Sequence, residues 1–422
     1  MRTVRLALLV IAVAVLAAAA LAWPRAEYIP SSSPQAYAST TANIERGAYL
    51  ARAGDCIACH TARGGAAYAG GRALETPFGR FYGPNLTPDV DTGIGAWSAD
   101  DFWHALHNGI AKDGRLLYPA FPYPNYTKVT RDDSDALFAY FRSLAPQRQP
   151  NRPHELGFPY DSQALLAGWR LLYFKPGAHE PQPARGAQWN RGAYLVEGLG
   201  HCSACHSTRN RFGASGEGLD GGLIPTLGWY APSLTSSSAA GLGEWNREHI
   251  VALLGTGISP RGSATGPMAE VVVRSLQHLT RDDLGAMASY LQSLPATLAP
   301  RPARVPPASE QVLAEGGRIY AASCAQCHGD DGRGKPPAYP PLAGNRAVTL
   351  TPAVNAIRMT VNGGFPPGTK GNPRPYGMPP FGHELDDAQV AAVLSWVRTS
   401  WGNAAPPVTA VEVNRYRAVN GD

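Results

Sequence analysis

The chain has 422 residues, which is enough for two to four domains. Hydrophobic residues make up 44% of it and charged residues 16%, so a folded chain is expected and a disordered one is excluded. Lysine and arginine outnumber aspartate and glutamate by 37 to 32 without any run of like charge, which argues against a nucleic-acid-binding protein.

The N-terminal sequence predicts export. Met1–Arg5 is short and basic, and Leu6–Trp23 is an uncharged run of 18 residues. This length lies between the apolar core of a secretory signal peptide, about 7–15 residues, and a membrane-spanning helix of about 17–25 residues. Ala20-Leu21-Ala22 fits a cleavage site, whereas the length of the run and Trp23 at its end favour a retained anchor. No other stretch is predicted to span a membrane.

All six cysteines stand in three copies of one motif. The copies are Cys56-Ile-Ala-Cys59-His60, Cys202-Ser-Ala-Cys205-His206 and Cys324-Ala-Gln-Cys327-His328. C-x-x-C-H is the attachment sequence of haem c, because two thiols must reach the two vinyl groups of one porphyrin while the next histidine becomes the proximal iron ligand. Disulfide bonds would not require that histidine, and a zinc site would need cysteine pairs closer together in sequence. The motifs therefore predict three covalently bound c-type haems.

The first two motifs belong to a duplicated unit. Arg46-Gly-Ala-Tyr-Leu50, before the first motif, recurs as Arg191-Gly-Ala-Tyr-Leu195 before the second. After the motifs, Tyr82-Gly-Pro-Asn-Leu-Thr87 is similar to Tyr230-Ala-Pro-Ser-Leu-Thr235. The third motif lies in a shorter segment.

An amphipathic helix is predicted at the end of each domain. Apolar residues recur there at the i, i+3, i+4 and i+7 positions, which indicates one face packed on a core. Thr130 and Thr280, each three residues before an aspartate, favour capping-box starts for the first two of these helices. The predicted apolar faces are Leu137, Phe138, Phe141 and Leu144; Leu284, Met287, Ala288 and Leu291; and Val390, Val393, Leu394 and Val397.

These patterns, together with the family resemblance described below, predict an all-α fold with three consecutive cytochrome c domains. The predicted segments are a signal peptide or membrane anchor at 1–25, a tether at 26–41, domain 1 at 42–150, a linker at 151–188 with a helix over Ala164–Phe174 docked between domains, domain 2 at 189–296, a Pro-rich linker at 297–308, domain 3 at 309–402 and a C-terminal tail at 403–422.

Methionine is the usual second axial ligand in such domains, and it raises the reduction potential. Met378 lies in a Gly-Met-Pro-Pro-Phe segment whose prolines stiffen the loop, and Met268 lies 62 residues after His206. Both are predicted to bind iron. Met287 and Met359 are predicted to fill gaps in the core instead.

The first domain contains no methionine. Aligning the duplicated halves places Phe121 opposite Met268, and phenylalanine cannot coordinate iron. The first haem is therefore either five-coordinate, and open to small ligands, or bound by another side chain. The candidates are His104, His107, Lys112, Lys128 and His154. A nitrogen ligand would give this haem a lower potential than the other two.

Together the three haem motifs, the Arg-Gly-Ala-Tyr-Leu segments, the Leu-Tyr-Pro-Ala-x-Pro-Tyr loop and the Gly-Met-Pro-Pro-Phe loop resemble one family. It is the triheme cytochrome c subunit of membrane-bound periplasmic dehydrogenases, which include alcohol, aldehyde, gluconate, sorbitol and nicotinate-type enzymes. The resemblance runs from about Asn43 to Ala404. Matched residue by residue, it implies His60, His206 and His328 with Met268 and Met378 as iron ligands, and the chain departs from the family at Phe121, where many members have methionine.

The resemblance also implies a role. Such a subunit takes electrons from a periplasmic catalytic partner that holds PQQ, flavin or a molybdenum cofactor. It passes them to membrane quinone or a terminal oxidase, and it lies on the periplasmic side of the bacterial inner membrane, anchored N-terminally or associated peripherally. The expected function is electron transfer without a catalytic site in this chain. The alternative is haem-site chemistry or small-ligand binding at an open first haem, which only the missing methionine favours.

Overall fold

The computed structural model describes residue 13 and residues 39–216, 218–235, 241–243, 245–296 and 305–417. The predicted signal peptide or anchor, apart from Val13, lies outside the described residues, as do most of the tether and of the Pro-rich linker. In the described part, no helix combines the length and apolar character needed to cross a bilayer.

The described residues form two compact units. The first contains residues 39–181, 196–201 and 210–214, and the second contains the remainder. The first haem motif lies in the first unit, and the second and third motifs lie in the second unit.

The first unit is mainly helical. Its helices are α1 (Thr41–Ala53), α2 (Cys56–Cys59), α3 (Ala99–Trp103) with a π-helical turn over His104–Asn108, α4 (Tyr123–Tyr126), α5 (Arg131–Ser143) and α6 (Gln163–Tyr173). Its strands β1 (Ala73–Thr76), β2 (Gly79–Tyr82) and β3 (Glu155–Leu156) pair antiparallel in that order. Ala73 lies opposite Tyr82, and Arg80 lies opposite Glu155.

The second unit holds two helical domains and two short hairpins. Its helices are α7 (Gly186–Ala193), α8 (Ser203–His206), α9 (Arg247–Thr256), α10 (Pro267–Arg274), α11 (Arg281–Ser293), α12 (Glu310–Ser323), α13 (Ala325–His328), α14 (Arg346–Thr349), α15 (Val354–Asn362), α16 (Asp387–Thr399) and α17 (Ala410–Arg417). Single turns of 3-10 helix cover Pro183–Arg185 and Leu276–His278. A π-helical segment, Tyr194–Leu199, follows α7, and its residues from Val196 onwards belong to the first unit. The hairpins are β4 (Gly222–Ile224) with β5 (Trp229–Ala231), and β6 (Ile258–Ser259) with β7 (Gly262–Ser263).

The described residues are mainly helical with little sheet, which agrees with the predicted all-α fold, and the short hairpins are an addition that the sequence analysis did not predict. The strands are two to four residues long, which is too short for an alternating apolar pattern to show. β1–β2 and β4–β5 occupy the same place in the duplicated halves. Each hairpin runs into the repeated loop that begins at Tyr82 or Tyr230.

In every domain the helix before the haem motif crosses the closing helix at a glycine. A methyl group added at this glycine would meet the backbone of the closing helix far inside the 3.0 Å that real contacts respect. The distances from an ideal Cβ are 2.0 Å from Gly47 to the Ala136 carbonyl oxygen, 2.1 Å from Gly192 to that of Ala286, and 2.2 Å from Gly316 to that of Ala392. The glycines therefore allow the paired helices α1 and α5, α7 and α11, and α12 and α16 to pack in backbone contact.

The arginine of the repeated segment fixes the same crossing in the first two domains. Arg46 Nη2 donates to Asp133 Oδ1 at 2.5 Å, and Arg191 donates to both carboxylate oxygens of Asp283 at 2.8 and 2.7 Å. Each aspartate stands at the third position of a closing helix, where its backbone N–H donates to the capping threonine hydroxyl. The predicted threonine N-caps are confirmed, whereas the aspartates of the predicted capping boxes bind Arg46 and Arg191.

The closing helices bury the predicted faces, except that Leu144 follows the last residue of α5 and is only partly buried. In α11, Met287 is 2% exposed and thus belongs to the core, as predicted, and α5 and α16 bury their apolar residues in the same way. The predicted helix at Ala164–Phe174 is present as α6, and its Leu166 and Ala167 pack on Leu116 of the first domain.

The C-terminal segment, predicted as a tail, contains α17. Val413 is fully buried in the core of the third domain, and Arg417 Nε donates to Asp387 Oδ1 at 2.6 Å. The helix is short and polar with one buried apolar side chain, so its sequence gives little periodic signal.

Candidate haem sites

Each C-x-x-C-H motif folds into a single helical turn. The turns are α2, α8 and α13, and in each the histidine backbone N–H donates to the carbonyl of the first cysteine at 2.9–3.1 Å. One turn places the two cysteines and the histidine on a common side, as attachment to one porphyrin requires. None of the six cysteines forms a disulfide bond, so all six sulfurs are available for attachment to haem.

All three histidines are oriented by the same kind of hydrogen bond. The Nδ1 atoms of His60, His206 and His328 lie 2.7, 2.6 and 3.0 Å from the carbonyl oxygens of Pro84, Pro232 and Pro340. Because a carbonyl can only accept, Nδ1 carries the proton and the lone pair resides on Nε2. That tautomer is the one that a proximal haem ligand needs, and the bond fixes the ring orientation. The residues present therefore fit a haem at each site.

The proline carbonyls explain the repeated loops. Pro84 and Pro232 are the prolines of the Tyr-x-Pro segments that follow β2 and β5. A glycine N–H then donates to the carbonyl oxygen of each site histidine at 2.8 Å, with φ between +68° and +91°, a region that disfavours other residues. These glycines are Gly70, Gly221 and Gly334. Sequence reasoning missed them because they stand 10, 15 and 6 residues after their histidines.

Burial makes these sites unfavourable for charged side chains. It lowers the pKa of His60 and His328, and burial together with the nearby Arg346 charge lowers the pKa of His206 to about 4. The imidazoles are thus neutral at physiological pH, as iron ligands must be. Burial likewise raises the pKa of the Cys56 and Cys202 thiols to about 12.

Met378 is held by a backbone bridge in the third domain. Its N–H donates to the Gly364 carbonyl at 2.8 Å and its carbonyl accepts from the Gly364 N–H at 3.0 Å. The side chain is partly buried. Met359 lies against the same glycine, since its sulfur is 3.5 Å from an ideal Cβ at that position. The Met359 thioether and the Met378 backbone therefore meet at one glycine, although the sequence interpretation treated Met359 as a core residue.

Met268 occupies the second position of α10 and is also partly buried. The helix begins after Gly266, whose φ is +55° and whose ideal Cβ would fall 2.6 Å from the Trp229 ring. A glycine is therefore required where the chain turns towards Met268.

Phe121 stands in the corresponding loop of the first domain, just before α4. Its ring lies 5.3 Å from that of Tyr126, centroid to centroid. Tyr126 donates its hydroxyl to the Gly54 carbonyl at 3.1 Å, beside the first attachment turn. The first site thus has a hydrocarbon ring where the aligned position of the second domain has a thioether.

The other candidate ligands of the first haem have contacts of their own. His154 Nδ1 accepts from the Tyr82 N–H at 3.2 Å, near the proximal loop that includes Pro84. The ring of His107 stacks on Trp103 with centroids 4.3 Å apart, and Asn108 Nδ2 lies 2.9 Å from His104 Nδ1. Lys112 pairs with Asp101 at 3.8 Å. The backbone carbonyl of the fifth candidate, Lys128, accepts from the His179 N–H at 3.0 Å.

Two histidines in the first unit, His179 and His201, were not considered from the sequence. His201 packs its ring against Tyr126 at 5.6 Å, and its Nδ1 lies 2.9 Å from the Leu199 carbonyl oxygen. Burial lowers its pKa. Its position directly before the second haem motif could have drawn attention to it. Across the described ranges, no cluster of three or more His, Cys, Asp and Glu side chains is arranged to hold a bare metal ion.

The chain is similar to known proteins over most of its length. A family model described as cytochrome c matches residues 44–145, 190–295 and 313–401. The cytochrome c subunit of a quinone alcohol dehydrogenase from Gluconacetobacter polyoxogenes is 38% identical over 89% of this chain and 84% of its own. The cytochrome c subunit of gluconate 2-dehydrogenase from Pantoea cypripedii is 41% identical over 89% of each chain. A subunit of nicotinate dehydrogenase from Pseudomonas putida is 41% identical over 94% of this chain and 34% of its own.

Each stretch that the family model matches contains one of the three attachment turns. The predicted three cytochrome c domains are therefore confirmed. This chain belongs to the cytochrome c family, alongside the cytochrome c subunits of dehydrogenases, and it carries three c-type haems.

Proposed function

We propose that this chain transfers electrons from a periplasmic dehydrogenase to membrane quinone or a terminal oxidase. The observation that carries the proposal is the identical geometry of three attachment turns, each with its histidine Nδ1 bound to a proline carbonyl. The relatives are named as cytochrome c subunits of alcohol and gluconate dehydrogenases, which supports a dehydrogenase as the electron donor.

The same geometry supports the proposed roles of the cysteines and histidines, and the sequence positions of Met268 and Met378 support them as the second axial ligands. Three cysteine pairs, Cys56 with Cys59, Cys202 with Cys205 and Cys324 with Cys327, hold the porphyrins. His60, His206 and His328 present Nε2 to the iron, and Met268 and Met378 supply thioethers in the second and third domains. Bound haem supplies a one-electron centre at each site. The hydrogen bonds to the three proline carbonyls would hold each histidine ring in one orientation towards the iron.

The proposed location is the periplasmic face of the inner membrane. The exported N-terminal segment supports it, either as an anchor or as a cleaved signal. The catalytic chemistry and the substrate then belong to the partner, with PQQ, flavin or a molybdenum cofactor, and this chain is not an enzyme by itself.

The test uses inner membranes from cells with the chain, without it, and with Cys202 and Cys205 both replaced by serine. Ubiquinone reduction is followed with ethanol, gluconate, nicotinate and fructose as electron donors. We expect at least one donor to reduce quinone only when the unaltered chain is present. Equal rates in all three membranes for every donor would refute the proposal.

The first haem is expected to bind carbon monoxide in the reduced protein, because Phe121 offers no ligand atom. The absorption change should correspond to one haem of three, and Phe121→Met should abolish it by supplying the thioether that the second domain has. A wild-type protein that binds no carbon monoxide would mean that a nitrogen ligand has replaced methionine. It would also remove the support for small-ligand chemistry as a second function.

A further inference from the structure

One arginine of the third domain reaches the second haem site. Arg346, the first residue of α14, donates from Nη1 to the Ser233 carbonyl at 2.9 Å. Its guanidinium carbon lies 5.1 Å from the centroid of the Trp245 ring. The side chain is partly buried, and burial lowers its pKa to about 10, so it remains charged at neutral pH.

The carbonyl that accepts this bond is next to the one that orients the histidine. Pro232 accepts from His206 Nδ1 at 2.6 Å, and Ser233 is the following residue. Ser233 is buried, with its hydroxyl 2.9 Å from Thr235 Oγ1. The guanidinium and the proposed iron ligand therefore bind the carbonyl groups of two consecutive residues.

The third haem site has a neutral group at this place. There the corresponding carbonyl, that of Pro341, accepts from Asn345 Nδ2 at 2.8 Å. A cation at this contact thus distinguishes the second site from the third.

The second and third domains also have neutral contacts with each other. Asn355 accepts from the Tyr230 N–H at 2.9 Å and donates to the Tyr230 carbonyl at 2.7 Å. Thr369 Oγ1 donates to the Thr256 carbonyl at 2.9 Å. These hydrogen bonds carry no charge, so replacing them tests domain packing separately from the Arg346 charge. The Arg358 guanidinium also lies over the ring of Trp229, 5.2 Å from its centroid, and it stays unchanged in every variant of the test below.

A fixed positive charge near a haem favours the reduced form, which has one positive charge fewer. We propose that Arg346 raises the reduction potential of the second haem, so that this potential depends on a residue supplied by the third domain. The inference rests on the proposed assignment of His206 as a ligand of that haem. A higher potential would make the second haem easier to reduce than it would be without Arg346.

The test is an equilibrium redox titration of the full three-haem chain. We compare the wild type with Arg346→Gln, which removes the charge, Arg346→Lys, which keeps it, and Asn355→Ala, which removes interdomain hydrogen bonds without changing charge. Arg346→Gln should lower one of three midpoint potentials and leave two in place. The three midpoint potentials of Arg346→Lys should stay near those of the wild type. Asn355→Ala should lower the same midpoint potential by less than Arg346→Gln does.

Three results would overturn the proposal: unchanged potentials in Arg346→Gln, an equal fall in Asn355→Ala, or an equal fall in Arg346→Lys. If Arg346→Gln fails to assemble with three haems, the test compares the potential of the second haem in Arg346→Lys with that in Asn355→Ala. A lower potential in Arg346→Lys would overturn the proposal, and a higher one would support it. The titration needs no partner. If Arg346→Gln lowers one midpoint potential but the chain makes no difference to quinone reduction, the proposed function is refuted and this inference still stands.

Discussion

Replacing Met378 by leucine should lower the reduction potential of one haem by about 0.1 V or more, because axial ligands set haem potentials over a range of roughly 0.8 V. Leucine has nearly the volume of methionine, so the packing cost of the change is small and the loss of the thioether sulfur dominates. A redox titration of the full chain measures the three midpoint potentials, and two of them should stay in place.

The matched control is Met359→Leu in the same domain. Both methionines approach the loop at Gly364, one through its backbone bridge and the other through its side chain. Only a ligand should move a potential on this scale when it is changed to leucine. If Met359→Leu produced the fall and Met378→Leu did not, the ligand assignment in the third domain would be reversed.

The sequence predicted those parts of the sites in which covalent chemistry fixes the spacing. Two thiols and a histidine must stand in five consecutive residues to bind one haem, so Cys56–His60 and its two counterparts could be recognised directly. The closing helices could also be predicted from the sequence, because a helix that buries one face has apolar residues with a period of 3.6. Met287 fell on such a face and is buried there.

The carbonyl and N–H groups that orient the histidines could not be predicted in this way. Any residue has them, and only the fold brings the Pro232 carbonyl to His206 or the Gly221 N–H to its backbone. The charged residue beside the second haem was even harder to predict from the sequence. Arg346 lies 140 residues after His206, in another domain, and packing between the domains decides the contact.

Replacing Gly192 by alanine should destabilise the second domain, although alanine is the better helix former by about 1 kcal/mol. The added methyl group would lie 2.1 Å from the Ala286 carbonyl oxygen and 2.8 Å from Cβ of Tyr290, so α7 and α11 must move apart. Overpacking of this kind costs about 1–3 kcal/mol, and more where rigid backbone is the obstacle. We expect the upper end of that range, since the closest atom belongs to a helix backbone.

The matched control is Gly168→Ala in the middle of α6, where an added Cβ has no atom within 4 Å. The same substitution there should stabilise the chain by up to about 1 kcal/mol, because only the helix propensity changes. Thermal unfolding followed by circular dichroism, with haem content as a second readout, should give shifts of opposite sign. Shifts of the same sign and size would show that the crossing tolerates a methyl group, and that the glycine of the Arg-Gly-Ala-Tyr-Leu segment is not required by the packing of the two helices.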